Sequence, residues 1–160
     1  MKKGPEVAEG AISAISAGFF LIMLGMIFLL IPNLIDGIIE FFMDFKITKV
    51  PNLNVSLLAP AHPNRHIKVY SASESFSFAL GLFQIAILAL RFALRSPLEK
   101  KAETLSNVIF WLGASFLTRN LLNEFATLVT WFIFWATLIM LIGVSLVVRA
   151  FVLALGRLSR

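Results

Sequence analysis

His62 and His66 are the only histidines in this chain, and they stand four residues apart, the spacing that puts two imidazoles on one helical face for a metal ion. Pro63 and Asn64 between them favour a turn instead. There is no cysteine, so a third ligand would have to come from a distant carboxylate such as Asp44 or Glu74. The expected state of the two histidines is a solvated turn or strand, and no metal is assigned to them.

A second pattern is acidic. Asp36, Glu40 and Asp44 recur every four residues and fall on one face of a helix, with Leu34, Ile38, Phe41, Phe42 and Phe45 on the rest. Such a stripe is the wet face of a helix lying at a membrane surface. In an oligomer it would also form a ring of carboxylates that gathers cations at the mouth of a pore.

Other polar residues interrupt apolar stretches. Arg119 and Glu124 flank a short break that also holds Asn120 and Asn123, and they are expected to close a helical hairpin as an ion pair. Gln84 lies in the middle of an apolar run, where its amide needs a partner in another helix. No Ser/His/Asp arrangement, phosphate-cradling glycine loop or pair of carboxylates within an apolar run is present. The absence of cysteine excludes a thiolate nucleophile and covalent haem attachment. An enzyme is therefore not expected, nor is a cofactor.

The elements that carry these residues are set by lipid. Hydrophobic residues make up 59% of the 160 positions and charged residues 14%, against about a quarter charged in soluble domains. The mean hydropathy is +0.89. A spanning helix needs about 20 mainly apolar residues, because the bilayer core offers the backbone no other hydrogen-bond partner. Four segments meet that need, at 10–31, 75–94, 104–122 and 125–155. The last two are one apolar stretch that must turn back on itself at 118–124, since a single helix over 105–148 would be about 66 Å long. The fold class expected is an all-α integral membrane protein, a four-transmembrane-helix bundle forming one domain.

Between the first two spans lie an amphipathic interfacial helix at 33–45, after the break at Pro32, and a water-facing loop at 46–73. Val55–Leu58 and His66–Tyr70 alternate as strands should, so a small β-hairpin is expected there, with 59–65 as its turn. A charged linker at 95–103 separates the second and third spans. Asn54-Val55-Ser56 is a glycosylation sequon, of a kind expected about once by chance in a chain with this many asparagines.

The net charge of +5 does not gather into a patch interleaved with aromatics, so nucleic acid is not an expected partner. Nine basic residues flank the ends that share a side with the termini, and five lie on the other, which places both termini in the cytoplasm of a multi-pass cell-membrane protein and the long loop outside. Small residues form two stripes, Gly10, Ala14 and Gly18 on the first span and Ala79, Ala86 and Ala93 on the second, suited to close helix contact in lipid. Trp111, Trp131 and Trp135 read as interface or packing aromatics.

In outline this topology resembles claudin-like and large-pore four-span channel subunits. The paired cysteines and the tryptophan-containing loop motif of claudins are missing, so no family is assigned. The function these features point to is a non-catalytic subunit or scaffold, with lipids, copies of itself or other membrane subunits as partners. The alternatives are a homo-oligomeric channel with an acidic outer vestibule and a metal-dependent membrane enzyme using His62 and His66.

Overall fold

The computed structural model describes residues 4–51 and 54–158, which are mostly helical. Five helices follow in order: α1 (Gly4–Leu30), α2 (Leu34–Met43), α3 (Ile67–Ala93), α4 (Leu98–Leu121) and α5 (Leu128–Leu158). Between α2 and α3 lie strands β1 (Phe45–Lys49) and β2 (Ser56–Pro60) and a single 3₁₀ turn (Pro63–Arg65). Three helices, α1, α3 and α5, are long and apolar enough to cross a membrane. The stretch expected as a third span forms α4, but that helix begins at Leu98 and absorbs Glu99, Lys100, Lys101 and Glu103 from the expected linker.

Local chemistry sets the breaks. Pro32 ends the first helical run, and Asn33 adopts a left-handed φ of 56°, a conformation that asparagine tolerates better than most residues. The chain thereby doubles back into α2. At the far end of α3, Arg95 takes φ 53° while the Ser96 N–H bonds to the Arg91 carbonyl at 3.0 Å, a Schellman-type stop, and Pro97 then caps α4.

The hairpin forms, but between different strands from those expected. β1 pairs antiparallel with β2, from Phe45 opposite Pro60 to Lys49 opposite Ser56. The expected second strand, His66–Tyr70, is instead the cap and first turn of α3. Ile67 and Val69 alternate at period two, yet they lead without a break into a long apolar helical run, and the helix takes them. β1 carries the β-branched pair Ile47 and Thr48, which suits a pleated strand. Asn54 of the sequon is exposed beside the turn.

α3 is the central helix. It approaches α4 at Gly81, where an added Cβ would lie 2.7 Å from Leu112 Cγ and 3.2 Å from the Leu112 backbone nitrogen. α4 approaches α5 in the same way at Gly113, against Leu141. Ser106 Oγ adds a buried hydrogen bond to the Ser145 carbonyl, 2.9 Å away. α1 is attached to α3 by Phe19 stacked on Phe83 at 3.8 Å and by Phe20 edge-on to Phe76 at 5.3 Å.

The small-residue stripes do not make these contacts. Gly10 and Gly18 have no atom near the place a Cβ would take, Ala14 is exposed, and so are Ala86 and Ala93. Gln84 is half-buried and makes no hydrogen bond among the described residues, so the partner expected from another helix is not found. A pair of substitutions separates the two kinds of glycine. Gly81→Ala is expected to lower stability by about 1–3 kcal/mol, because Leu112 and its backbone must both give way. Gly18→Ala is expected to leave stability unchanged or slightly raised, since the added methyl meets open space and alanine favours the helix. Thermal midpoints of the two variants in one detergent would check both.

Candidate functional site

The polar residues singled out in the sequence gather where α2, the hairpin and the start of α3 meet. Asp44 ends α2, its own N–H bonded to the Glu40 carbonyl. Its carbonyl accepts the Ala61 N–H at 2.9 Å, which extends the hairpin ladder by one step. Its carboxylate faces both histidines. Oδ2 accepts the His62 backbone N–H at 2.7 Å and lies 2.9 Å from His66 Nε2, while Oδ1 lies 3.0 Å from His62 Nδ1. With Asp44 ionised, each of those ring nitrogens carries a proton toward it.

One carboxylate thus joins the end of α2, the chain leaving β2 and the cap of α3. Burial alone would push the Asp44 carboxyl up, but the hydrogen bonds from His66 and from the side chain and backbone of His62 outweigh it and hold the group well below the usual carboxylate range. His66 is buried and sits edge-on to Phe41 at 5.1 Å. Phe41 and Phe45 in turn pack on Trp131, so the same cluster reaches α5. Tyr70 lies in this core with its hydroxyl buried and unpartnered.

Of the carboxylates considered as a third metal ligand, Asp44 joins the histidines and Glu74 does not. The assembly is a hydrogen-bonded latch, since each imidazole addresses a different carboxylate oxygen. Among the described residues no group of three or more His, Asp or Glu side chains is placed to hold a metal ion. No serine or threonine hydroxyl among the described residues bonds to either imidazole.

Asp44 is therefore drawn out of the acidic stripe, because α2 stops at Met43 and the next residue turns inward. Asp36 and Glu40 keep their common face and line a cavity of about 300 Å³ between α2 and the beginning of α3. Arg65 and Lys68 line the same cavity. None of these four charged side chains makes an ion pair or hydrogen bond among the described residues. An apolar cleft of about 150 Å³ between α1, α2 and α3 adjoins this cavity at Val69, which lines both.

Arg119 does not pair with Glu124. It faces Glu74 across α3 and α4 at 3.9 Å, with its side chain 77% exposed, so the contact contributes little. Asparagines close the turn instead: Asn123 Nδ2 donates to the Asn120 carbonyl at 3.2 Å, and Asn123 Oδ1 accepts the Phe125 N–H at 2.9 Å. These bonds satisfy backbone groups at the helix end that an ion pair would leave open.

Sequence reasoning missed a second polar cluster at the opposite end of α3. Arg91 is buried. It forms an ion pair with Glu9 of α1 at 3.3 Å, donates to the Lys100 carbonyl at 2.7 Å and bonds Thr104 of α4. The signal available was Glu9 itself, the last acid before a long apolar run. Neither protein-family models, curated proteins nor solved structures give a match to this chain.

Proposed function

We propose that this chain is a non-catalytic, multi-pass membrane protein that serves as a subunit or scaffold of a membrane complex. In this reading α1, α3, α4 and α5 are four spans, α2 lies at the outer interface and both termini are cytoplasmic. α4 is less apolar than the others because its first turns carry Glu99, Lys100, Lys101 and Glu103, and because its Thr104, Ser106, Ser115 and Thr118 are buried against its neighbours rather than turned to lipid. Beyond Glu103 the helix runs over 104–121, about 27 Å at 1.5 Å per residue, close to the roughly 30 Å hydrocarbon layer.

The observation that carries the reading is how little of α1 and α5 the protein itself covers. Only 11% of the apolar stretch of α1 and 6% of that of α5 is buried. Leu21, Ile22, Leu29 and Leu30 of α1 and Ile139, Met140, Val147 and Phe151 of α5 are exposed, an apolar surface far beyond what a soluble monomer shows. Lipid covers most of it. The open face of Gly10, Ala14 and Gly18 is the part suited to another helix, because small residues let backbones approach closely where no hydrophobic drive exists.

The chain's lack of cysteine makes the test direct. Asn64→Cys is expected to react with a membrane-impermeant maleimide on intact cells, and Ser96→Cys only after permeabilisation. Ala14→Cys is expected to cross-link in native membranes, to a second copy or to another subunit. Reversed labelling would invert the topology, and a protein that purifies as a monomer with no companion would remove the subunit role.

A further inference from the structure

Four opposite charges share one cavity without neutralising one another. Asp36 and Glu40 stand on α2, Arg65 and Lys68 lie at the entry to α3, and no two of them come within ion-pair distance. A cavity built this way is complementary to a zwitterion: the basic pair, beside the positive end of α3, suits a phosphate, and the acidic pair suits a cation a few bonds away. A quaternary ammonium is normally held by aromatic faces, and no Phe, Tyr or Trp lines this cavity. Two carboxylates fit a primary ammonium, which can donate a hydrogen bond to each.

The source of that headgroup follows from the adjoining cleft. Val69 belongs to both spaces, and from it the cleft runs down α3 past Ala72 to Phe76 and along α1 from Phe28 to Leu24. Its lining is almost wholly apolar, as an acyl chain requires. We propose that the α2–α3 cavity and its cleft bind a phospholipid of the phosphatidylethanolamine type, with the phosphate on Arg65 and Lys68, the ammonium on Asp36 and Glu40, and a chain along Val69 and Ala72. The inference rests on the membrane reading above, since it places α2 at the level of the headgroups.

The test uses the full chain in detergent micelles, with flotation on liposomes confirming insertion separately. Native mass spectrometry would compare phosphatidylethanolamine, phosphatidylcholine and phosphatidylglycerol of the same chains, together with free phosphoethanolamine. The ethanolamine lipid is expected to be held about tenfold more tightly than either other lipid. Asp36→Asn with Glu40→Gln should abolish that preference and spare phosphatidylglycerol binding. Arg65→Gln with Lys68→Gln should weaken all three. All four residues are exposed, so the fold should tolerate these changes. Ser73→Trp, which fills the cleft, should weaken the lipid alone. Equal retention of the three lipids by inserted protein, or a preference unchanged by the acidic substitutions, would overturn the proposal while leaving the membrane reading intact. Free phosphoethanolamine binding as tightly as the lipid would make this a site for a soluble zwitterion instead and equally overturn it. A chain that fails to float would count against the membrane reading itself.

Discussion

Asp44→Ala is expected to destabilise the protein by about 2–4 kcal/mol and to free the hairpin from the helices. The weight falls on His66. Its side chain is only 6% exposed, so removing the acceptor leaves a buried imidazole N–H with nothing to bond. The His62 side chain is 48% exposed, and water replaces most of what it loses. The cost also includes the His62 backbone N–H, which gives up a charged acceptor at 2.7 Å. Asp44→Asn should cost less, because an amide oxygen still accepts from one donor. Proteolysis confined to the hairpin connection, alongside a lowered thermal midpoint, would show the latch opening. An unchanged cleavage pattern would mean that the aromatic packing of Phe41 and Phe45 on Trp131 holds this end alone.

The same carboxylate sets an acid limit. Its pKa in the folded protein lies below the model-peptide value of 3.8, so the folded state favours the ionised form. That stabilisation is fully present above about pH 4 and is lost as pH falls through the depressed folded value. Near neutral pH the latch is closed. In a pH series of unfolding midpoints, the wild-type chain should weaken below about pH 4 and Asp44→Asn should show a shallower loss.

These contacts explain which features could be read from the order of residues and which could not. Three of the four expected runs were legible as helices long and apolar enough to cross a membrane, because such helices are specified locally, by about 20 residues in succession. The hairpin was half legible. Its second strand, Ser56–Pro60, overlaps the expected Val55–Leu58, but the first was hidden because Phe45 continued the amphipathic pattern of α2. Asp44 fits the stripe of Asp36 and Glu40 by period, and only the helix end at Met43 turns it toward partners 18 and 22 residues further on. No local pattern encodes such contacts. The small-residue stripes were expected to be helix-packing faces, but the close contacts inside this protein are made at Gly81 and Gly113. A stripe records that a face can pack closely and leaves open which neighbour meets it.

Arg91→Ala should be the most damaging single substitution, at about 3–5 kcal/mol, because it leaves Glu9 as a lone, mostly covered charge. It also removes the donor to the Lys100 carbonyl and to Thr104, so α1, α3 and α4 lose their common tie at one stroke. The pair itself is not well made. Both Glu9 carboxylate oxygens and Arg91 Nε lack a hydrogen bond, so a contact at 3.3 Å supplies attraction between charges without the alignment that offsets desolvation. Poorly satisfied buried pairs are replaced by apolar residues at little cost, whereas removing one partner is expensive. Glu9→Leu combined with Arg91→Met should therefore be clearly more stable than Arg91→Ala, provided the leucine and methionine fill the space. SDS-titrated unfolding of Glu9→Leu, Arg91→Met and their combination beside the wild-type chain would give the coupling, with Arg91→Ala measured alongside. If the double variant were as unstable as Arg91→Ala, the bonds from Arg91 to Lys100 and Thr104, and not the ion pair, would be what holds α1 and α4 to α3.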